Sequence, residues 1–487
     1  MRLGSIIKTQ GAYYLASGTG VRAESLYSLQ NKKTPMAKAV TAVGIAVALI
    51  IGLLGGYFVS TATVQQSVLT VTSVSATTVV STITLGEGQV QTVTTTATLT
   101  RTVTAQQTPP RTILIGATVP KTGPFSPIAG PFDRLYMAWQ DMVNERGGLY
   151  VKQYGMRLPV KVILYDDESK GETAARLYEK LITEDKVDIL LGPYSTPVTL
   201  PVIEVVAKYG TPIVTTQAGA PPLYNRGLKN VFSAIDLIST WSYNYFDMIK
   251  AEGKAKTIAF VIQDEAYGNG LMAGAKPKAQ EIGLTIVAEE KFPVGTTDFT
   301  AIILRLKAAD PDIVFVAGLN PGAAAFVKQA LEQGLRPREY HVPQLIKVFI
   351  ETVGLQNVNY FTGEWFWTEG IPYDGYFGRD FWLEAMKRAG LKNEDYPWAS
   401  VTWQALEAVS AAIEHADSLD KEDLIKALDR TYIMTISGPT HLGRDFGAFQ
   451  NVGLIRAFPV QIVNGEFRVL WPPEIRTGEH VYPTPWQ

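Results

Sequence analysis

Short apolar runs alternate with longer amphipathic segments through residues 111–333, and this alternation constrains the fold more than any other feature. The clearest unit begins with Asp188–Leu191, an apolar run of strand length that Gly192-Pro193 terminates. Thr199–Tyr209 has its apolar residues at helical spacing, and another strand follows at 212–216. Strands that alternate with helices of ten or more residues form parallel sheets covered by helices on both faces. The sequence therefore predicts an α/β fold.

The alternation occurs in two series of about 120 residues each, so we predict two doubly wound parallel-sheet lobes. After 361–367 the order changes to helices at 381–389, 399–416 and 421–431, and then to a β-rich end. Because these late elements should pack back on the lobes, we expect both lobes to be discontinuous and to be joined by crossover strands. The predicted division is lobe 1 at 111–235 with about 366–440, lobe 2 at 236–365 with about 441–475, and a C-terminal tail at 476–487.

A polar turn, Tyr194-Ser195-Thr196, lies between the strand at 188–191 and the helix that follows it. In an open parallel sheet, ligands bind at the carboxyl ends of the strands, which is where this turn lies. Hydroxyls and backbone N–H groups at the start of a helix favour an anionic group. The turn is therefore a candidate binding element, and a purely structural turn is the alternative.

An uncharged apolar run covers Ala39–Val59, and the lysines nearby all lie on its amino side. A helix of this length spans about 30 Å, the thickness of the hydrocarbon core of a bilayer. The lysines place the amino end in the cytoplasm. We therefore predict a single-pass transmembrane anchor at 39–59, with the globular part outside the cell; a cleaved signal peptide is the alternative. Residues 1–38 are then a cytoplasmic segment, or in part an extension of the gene model before Met36.

Residues 60–110 differ from the rest of the chain in composition. Nearly half of them are Ser or Thr, and only Glu87 and Arg101 are charged. Such a segment lacks the large side chains that offset the entropy of ordering, and Ser/Thr tracts outside the membrane are typical of stalks. Alternating Thr and Val on either side of Gly86-Glu-Gly would also suit two strands. We predict an extended Ser/Thr-rich stalk, with strands as the alternative.

The composition excludes several kinds of site and partner. The chain has no cysteine, which excludes disulfides, thiol catalysis and iron–sulfur clusters. Its four histidines, His341, His415, His441 and His480, lack metal-ligand spacing, so we expect surface or packing roles and no metal site. Basic and acidic residues number 44 and 46 with no basic stripe, so nucleic acid is not an expected partner. No catalytic or dinucleotide motif stands at a strand end. We expect no cofactor and no enzymatic activity, with an enzyme on the same scaffold as the alternative.

Several short motifs resemble, in the same order, those of one protein family. They are Thr122-Gly-Pro, Asn144-Glu-Arg-Gly-Gly, Asp185-Lys-Val-Asp-Ile-Leu-Leu-Gly-Pro, Tyr267-Gly, Asp298-Phe-Thr-Ala-Ile-Ile-Leu-Arg-Leu-Lys, Trp403-Gln-Ala-Leu-Glu-Ala-Val and Ile436-Ser-Gly-Pro-Thr. The family is that of the extracytoplasmic substrate-binding proteins of branched-chain amino-acid-type (Leu/Ile/Val-binding-like) ABC transporters. The resemblance covers about residues 112–475. It implies the type I periplasmic-binding fold, with crossovers near 233–236, 363–367 and 439–444 and a small ligand in the cleft between the lobes.

The resemblance also implies roles for individual residues. Ser195 and Thr196 match the hydroxyl-bearing turn that holds the ligand carboxylate. Gln217 and Gly219 match the next loop, whose oxygens take the ligand ammonium group. Tyr267 matches an aromatic residue contributed by the second lobe. For each of these residues, ordinary packing or capping is the alternative role.

Two positions depart from the pattern of amino-acid binders. Gly219 stands where Thr is frequent, and Gln344 stands where an acid pairs with the ammonium group. A neutral amide cannot replace the charge of a carboxylate. A plain α-amino acid is therefore an expected ligand only if Asp264 or Glu265 supplies the negative group. The loop Phe125–Gly130 matches the wall of the side-chain pocket, whereas the aromatic residues at 365–382 are expected to pack in the hinge and lobes rather than line that pocket.

The sequence thus predicts a membrane-anchored solute receptor. It would deliver a small polar organic ligand, such as an amino acid or amide, to the permease subunits of an ABC importer at the cell surface. An anchor that keeps the receptor near the permease raises its effective concentration there. A sensory or surface ligand-binding protein on the same fold, not coupled to import, is the alternative.

Overall fold

The computed structural model describes residues 70–85, 89–104, 109–443 and 457–486. The amino-terminal unit of the chain contains a hairpin of two antiparallel strands, β1 (Thr70–Leu85) and β2 (Gln89–Thr104), paired in register along their whole length. The structure thus favours the strand alternative for these residues, and a stalk role stays a prediction. The segments 1–38 and 39–59 lie outside the described residues. Of the helices that the structure does describe, none is both long and apolar enough to cross a membrane.

The first lobe is built on a five-stranded parallel sheet, ordered β6-β3-β7-β8-β9. Its elements are, in chain order, β3 (Ile113–Val119), α1 (Ser126–Ala129), α2 (Phe132–Glu145), β4 (Leu149–Val151), β5 (Met156–Leu158), β6 (Val160–Asp166), α3 (Gly171–Thr183), β7 (Ile189–Leu191), α4 (Thr196–Tyr209), β8 (Ile213–Thr215) and β9 (Val231–Ser233). Strands β7, β8 and β9 are buried at every position, although β9 lies at an edge of the sheet. Continuous apolar strands are expected where helices cover both faces of a parallel sheet.

The second lobe has a seven-stranded sheet, ordered β11-β10-β12-β13-β14-β17-β18. The elements that open it are α5 (Tyr243–Glu252), β10 (Thr257–Gln263), α6 (Ala266–Glu281), β11 (Thr285–Phe292), α7 (Thr300–Ala309), β12 (Ile313–Ala317), α8 (Gly322–Glu332), β13 (Glu339–His341), α9 (Lys347–Val353) and β14 (Thr362–Trp365). The first five strands of the sheet are parallel. The chain therefore passes from one sheet to the other after β9, near the first predicted crossover.

The late elements return to both lobes, as the sequence predicts. They are α10 (Arg379–Arg388), α11 (Tyr396–His415), α12 (Lys421–Asp429), β15 (Tyr432–Thr435), β16 (Gly438–His441), β17 (Phe458–Val463) and β18 (Glu466–Val469). Strands β17 and β18 add an antiparallel edge to the second sheet, whereas α10 packs on α2 of the first lobe. Short 3₁₀ turns occur at Lys152–Tyr154, Pro221–Leu223, Ile238–Thr240, Asn393–Asp395 and Pro473–Ile475. The numerical lobe borders stay a prediction.

The long helix α11 lies next to the cleft and is hydrogen-bonded to the loops that border it. Every residue from Pro397 to Ile413 is buried, because the helix packs against the first sheet on one side and the hairpin β15–β16 on another. Its Gln404 Nε2 donates to the carbonyl of Ala234, at the first crossover, over 2.9 Å. A helix buried on all sides is apolar all round. The Ser400 and Ser410 hydroxyls of α11 donate to carbonyls of the helix itself, whereas Gln404 binds the hinge.

Two helices begin at the cleft, and one of them begins earlier than the sequence predicts. Helix α4 begins at Thr196 rather than Thr199, because Pro197 is compatible with the first turn of a helix. Helix α6 begins at Ala266, where the Glu265 side chain caps it. The residues that the sequence places in turns are therefore at helix starts, where free N–H groups point outwards.

Candidate functional site

The loop after β7 brings the first group of predicted site residues to the edge of the first sheet. Tyr194 forms a parallel bridge with Gln217, which follows β8, so the two loops run side by side. Ser195 and Thr196 are 2% and 1% exposed, and their hydroxyls have no hydrogen-bond partner within the described residues. Buried hydroxyls are normally paired. These two are not, and they lie at the start of a fourteen-residue helix, so both hydroxyls are free to donate to a further acceptor; their ligand role stays a prediction.

Ser195 has an unusual backbone conformation, with φ 74° and ψ 149°. This region is essentially restricted to glycine and costs a residue with a side chain about 1–3 kcal/mol. The Ser195 side chain does not cap helix α4, and Pro197 has no N–H to offer. The Thr196 and Val198 N–H groups at the start of helix α4 therefore have no side-chain acceptor on Ser195. The strained backbone at Ser195 directs this helix start towards the cleft.

Gln217 and Gly219 have structural contacts in the second loop. Gln217 Nε2 donates to the Trp398 carbonyl over 3.0 Å and so ties the loop to α11. The carbonyl of Gly219 accepts from Ile238 N over 2.9 Å, and a Cβ at Gly219 would stand 2.9 Å from Ile238 Cγ2. The glycine is explained by this close approach of the hinge, because a threonine side chain has no room there. The ligand roles of both residues stay predictions.

Tyr267 faces this site from the second lobe, in the first turn of α6. Both carboxylate oxygens of Glu265 cap that helix, accepting from Tyr267 N at 2.7 Å and Gly268 N at 2.6 Å. Tyr267 is 3% exposed, and its hydroxyl has no partner within the part of the chain that the structure describes. Burial raises the pKa of Tyr267 well above its usual value, and the charges of Glu364 and Glu265 raise it further. The hydroxyl is therefore protonated and can donate or accept.

Gln344 lies in the buried segment between β13 and α9, and it meets the first lobe at Tyr194. Burial raises the pKa of Tyr194, and the neighbouring side chains of Trp398 and Gln344 oppose this effect, although the Tyr194 hydroxyl makes no hydrogen bond within the described residues. The Tyr194 hydroxyl of the first lobe thus lies beside the Gln344 amide of the second. Both residues are 3% exposed. The structure accordingly brings the predicted residues of both lobes to one closed cleft.

An aromatic wall beside Tyr267 is the part of the site that sequence reasoning missed. The Trp241 ring lies 6.0 Å from that of Tyr267, 5.0 Å from that of Phe366 and 6.0 Å from that of Trp398. These rings come from three distant segments, and only Phe366 belongs to the aromatic group noted in the sequence. Most of that group packs inside the first lobe as expected, for example Trp382 on Trp403 at 5.3 Å.

The loop predicted at Phe125–Gly130 contains the short helix α1, and the Phe125 ring packs edge-on against Tyr194 at 5.4 Å. The two acids considered as replacements for a carboxylate at position 344 make other contacts. Asp264 is exposed and accepts from Asn269 Nδ2 over 2.9 Å, and Glu265 is the helix cap. In the described ranges, no group of three or more His, Asp or Glu side chains is placed to hold a metal ion.

Two α/β lobes that close over a buried polar cleft define a two-lobed binding protein. A family model described as "Periplasmic binding protein" matches residues 112–459, and the chain belongs to this family. The resemblance noted in the sequence, and the α/β fold expected from it, are confirmed. The family is one of solute-binding proteins.

Curated relatives are similar to the globular part. An "Amino acid binding protein" of Pseudomonas aeruginosa is 26% identical over 226 residues, 46% of this chain and 59% of the relative. The "Leucine-, isoleucine-, valine-, threonine-, and alanine-binding protein" of the same organism is 26% identical over 341 residues, 69% of this chain and 86% of the relative. The chain thus spans about three fifths of the length of the first relative and most of the second.

Solved structures share the fold. The branched-chain amino acid transporter substrate binding protein LivJ of Streptococcus pneumoniae, in complex with isoleucine, has a TM-score of 0.63 at 18% identity, covering 74% of this chain and 100% of that one. A solute binding protein of an ABC transporter from Rhodopseudomonas palustris, in complex with 3,4-dihydroxy benzoic acid, has a TM-score of 0.60 at 22% identity, covering 73% and 95%. The same fold therefore accommodates ligands with and without an amino group.

Proposed function

We propose that this protein is an extracytoplasmic receptor that binds a small polar organic ligand between its lobes and delivers it to an ABC importer. The cleft supports this proposal because buried polar groups of both lobes converge there with hydrogen bonds still to be made. The hydroxyls of Ser195, Thr196 and Tyr267 are buried and unpartnered among the described residues. Leaving such groups unsatisfied costs about 1–3 kcal/mol each, and a ligand with matching polar groups would recover that free energy.

The ligand would enter with its anionic or carbonyl group towards the start of helix α4, where the helix dipole favours negative charge. Tyr267 and Gln344 would close over it from the second lobe. The aromatic wall formed by Trp241, Phe366 and Trp398 offers an apolar surface for the rest of the ligand. Closure would then be stabilised only when the ligand satisfies both lobes at once.

The relatives and structural neighbours support the coupling to import, since those proteins bind amino acids or belong to ABC transporters. We further propose that residues 39–59 anchor the receptor in the membrane and that residues 60–110 extend it outwards. This proposal rests on the apolar run and the lysines before it. Protease treatment of intact cells should release the globular part, whereas recovery of the intact chain from the cytosol would contradict the arrangement.

The binding site is tested with the full chain and a thermal-shift screen of amino acids, amides, small carboxylic acids and peptides. A ligand at 100 times its dissociation constant adds about 2.7 kcal/mol to the free energy of unfolding. For the compound found, Thr196→Ala and Tyr267→Phe should each weaken binding by about 1–3 kcal/mol in calorimetry, because each removes one hydrogen-bonding hydroxyl.

Thr183→Ala is the matched control, because the Thr183 hydroxyl bonds the Glu179 carbonyl of its own helix, outside the cleft residues. It should leave affinity unchanged. Wild-type affinity in both cleft variants would place the site elsewhere. If a bound ligand supported no uptake in cells that contain the permease, the receptor would be a sensory or surface protein.

A further inference from the structure

A cavity at the far end of the second lobe has no part in the function proposed above. Its volume is about 790 Å³, which is within the range of about 300–1,000 Å³ that is usual for small-molecule sites. The segments that line it are the loop before β13, the loop before β14, the turn between β17 and β18, and the carboxy-terminal residues. Its polar and aromatic lining includes Arg336, Gln356, Tyr360, Asn464, Thr484 and Trp486. We call it the distal cavity.

The distal cavity and the cleft lie at opposite ends of the second sheet. Strands β13 and β14 are parallel. The cleft residue Gln344 follows β13, whereas Arg336 precedes that strand, and Tyr360 precedes β14. The amino ends of parallel strands lie at the edge of the sheet opposite to their carboxyl ends, where the cleft is formed. A ligand in the distal cavity would therefore be bound separately from a solute in the cleft.

The carboxy-terminal residues form one wall of the distal cavity, and hydrogen bonds hold that wall in place. Thr484 N donates to the Arg338 carbonyl over 2.7 Å. Trp486 Nε1 donates to the Pro337 carbonyl over 2.6 Å, and the indole ring packs edge-on at 6.1 Å from the ring of Tyr340. Both hydrogen bonds end on the loop before β13. The indole is thus fixed at the cavity before any ligand arrives, which lowers the entropic cost of binding.

The polar groups of this lining can both donate and accept hydrogen bonds. Gln356 and Asn464 are exposed, and an amide side chain carries an acceptor oxygen beside two N–H donors. The turn at Asn464 uses the backbone, since Asn464 N donates to Asn359 Oδ1 over 2.8 Å. Thr484 is 6% exposed, and its hydroxyl has no partner among the described residues. A ligand with hydroxyl groups matches such a lining, because a hydroxyl also donates and accepts.

The charge of the lining restricts the ligand further. Arg336 is the one charged residue among the described residues that line the cavity. Its guanidinium lies over the Trp486 indole, 5.2 Å from the ring centre, and its Nη1 donates to the Leu331 carbonyl over 2.8 Å. The cation and the ring are therefore presented side by side. A cationic ligand would be repelled, whereas a neutral or anionic one is accepted, and a guanidinium suits a carboxylate in particular.

We propose that the distal cavity is a second binding site, which takes a neutral or acidic saccharide. The amides and Thr484 would bind the sugar hydroxyls, and Trp486 would pack against the apolar C–H face of the sugar ring. Arg336 would bind the carboxylate of an acidic sugar. An apolar ligand would leave the amides without partners. This inference does not depend on the solute that the cleft binds or on delivery to an importer.

The test is calorimetry on the full chain with pairs of neutral and acidic sugars. Glucose is compared with glucuronate and galactose with galacturonate, each as the free sugar and as a short oligosaccharide. We expect at least one of them to bind with a dissociation constant of about 1 mM or tighter, and the acid of that pair to bind at least as tightly as the neutral sugar. Trp486→Ala and Gln356→Ala should weaken binding, the first by about ten-fold or more. Arg336→Gln should remove any preference for the acid.

Asn225→Ala is the control, because it removes an exposed amide from the first lobe and should leave sugar binding unchanged. If Trp486→Ala fails to fold, Gln356→Ala and Asn464→Gly decide the question, since glycine accepts the backbone angle φ 55° at position 464. Wild-type affinity in these variants would place the sugar elsewhere and overturn the inference. So would a wild type that binds none of the sugars, or one that binds only the neutral members. A solute found for the cleft by thermal shift leaves the receptor function standing in each case.

Discussion

His480 should make the stability of the second lobe depend on pH in a range where few other groups titrate. Its Nε2 lies 2.9 Å from Glu339 Oε2 and its Nδ1 2.9 Å from Glu252 Oε2, and its side chain is 1% exposed. Burial opposes protonation of this imidazole, but the charges and hydrogen bonds of Glu339 and Glu252 outweigh it and raise the pKa of His480 to about 9. The residue is therefore an imidazolium at neutral pH.

The sign and size of the effect follow from that value. A folded-state pKa above the unfolded value of about 6.5 contributes stability that is complete below pH 6.5 and is lost as the pH rises towards 9. The folded and unfolded pKa of His480 thus differ by about 2.5, which corresponds to about 3 kcal/mol in the free energy of unfolding. The free energy of unfolding should fall by an amount of this order between pH 6 and pH 9.5.

Urea denaturation of the full chain, followed by circular dichroism, measures this fall, and His480→Gln isolates the contribution of the imidazole. The variant should be less stable at pH 6 by about 3–5 kcal/mol, since it removes one partner of a buried charge pair. Its stability should depend less on pH.

Glu407 also contributes to the pH dependence. Burial raises the pKa of Glu407 to about 8 against the effect of its backbone donors, so the free energy of unfolding also falls as the pH rises above 4.5. Glu407 is present in both proteins, and the difference between their curves is the relevant quantity. Parallel curves from pH 6 to 9.5 would refute the reasoning.

Three further results are expected. Ser195→Gly should raise the midpoint of thermal unfolding, because glycine relieves the strain at φ 74°, and should weaken ligand binding by removing a hydroxyl; a clear loss of stability would show that Ser195 is unstrained. Gly219→Thr should lower the free energy of unfolding by about 1–3 kcal/mol through contact with Ile238, and wild-type stability would contradict the packing of that loop on the hinge. Small-angle scattering should show a smaller radius of gyration when ligand is added to saturation, and an unchanged curve with proven binding would argue against lobe closure.

The alternating elements could be predicted from sequence because their signals are local. The β7–α4–β8 unit follows from an apolar run, a helical spacing and a terminal glycine within about 30 residues. The early start of α4 at Thr196 could not be predicted in the same way, since Pro197 is equally compatible with a turn and with a first helical turn. The residue at which a helix begins, when it shifts by a single turn, depends on tertiary contacts that the local sequence pattern does not contain.

The candidate site could be predicted only in part, for a related reason. Thr196 and Tyr267 carry a local signal, because each lies where a strand meets a helix. The aromatic wall does not, since Trp241, Phe366 and Trp398 come from three separate segments and each is consistent with core packing. The pairing of His341 with Glu364 likewise joins strands β13 and β14 through tertiary packing. Isolated histidines give no spacing pattern that would reveal such partners, so the expected surface or packing roles missed the contacts of His341 with Glu364 and of His480 with Glu339.

The position of two tryptophans next to the candidate cleft has an optical consequence. Trp241 and Trp398 are 2% and 6% exposed, and the centre of each indole ring lies within about 6 Å of the centres of neighbouring aromatic rings. Indole emission depends on the polarity and mobility of its surroundings, so opening the lobes would hydrate these rings and shift their emission to longer wavelength. The chain has nine tryptophans, and the other seven include Trp139, Trp382 and Trp403 in the core, which would supply a constant background. The protein would therefore report the occupancy of its own cleft through intrinsic fluorescence, without a label.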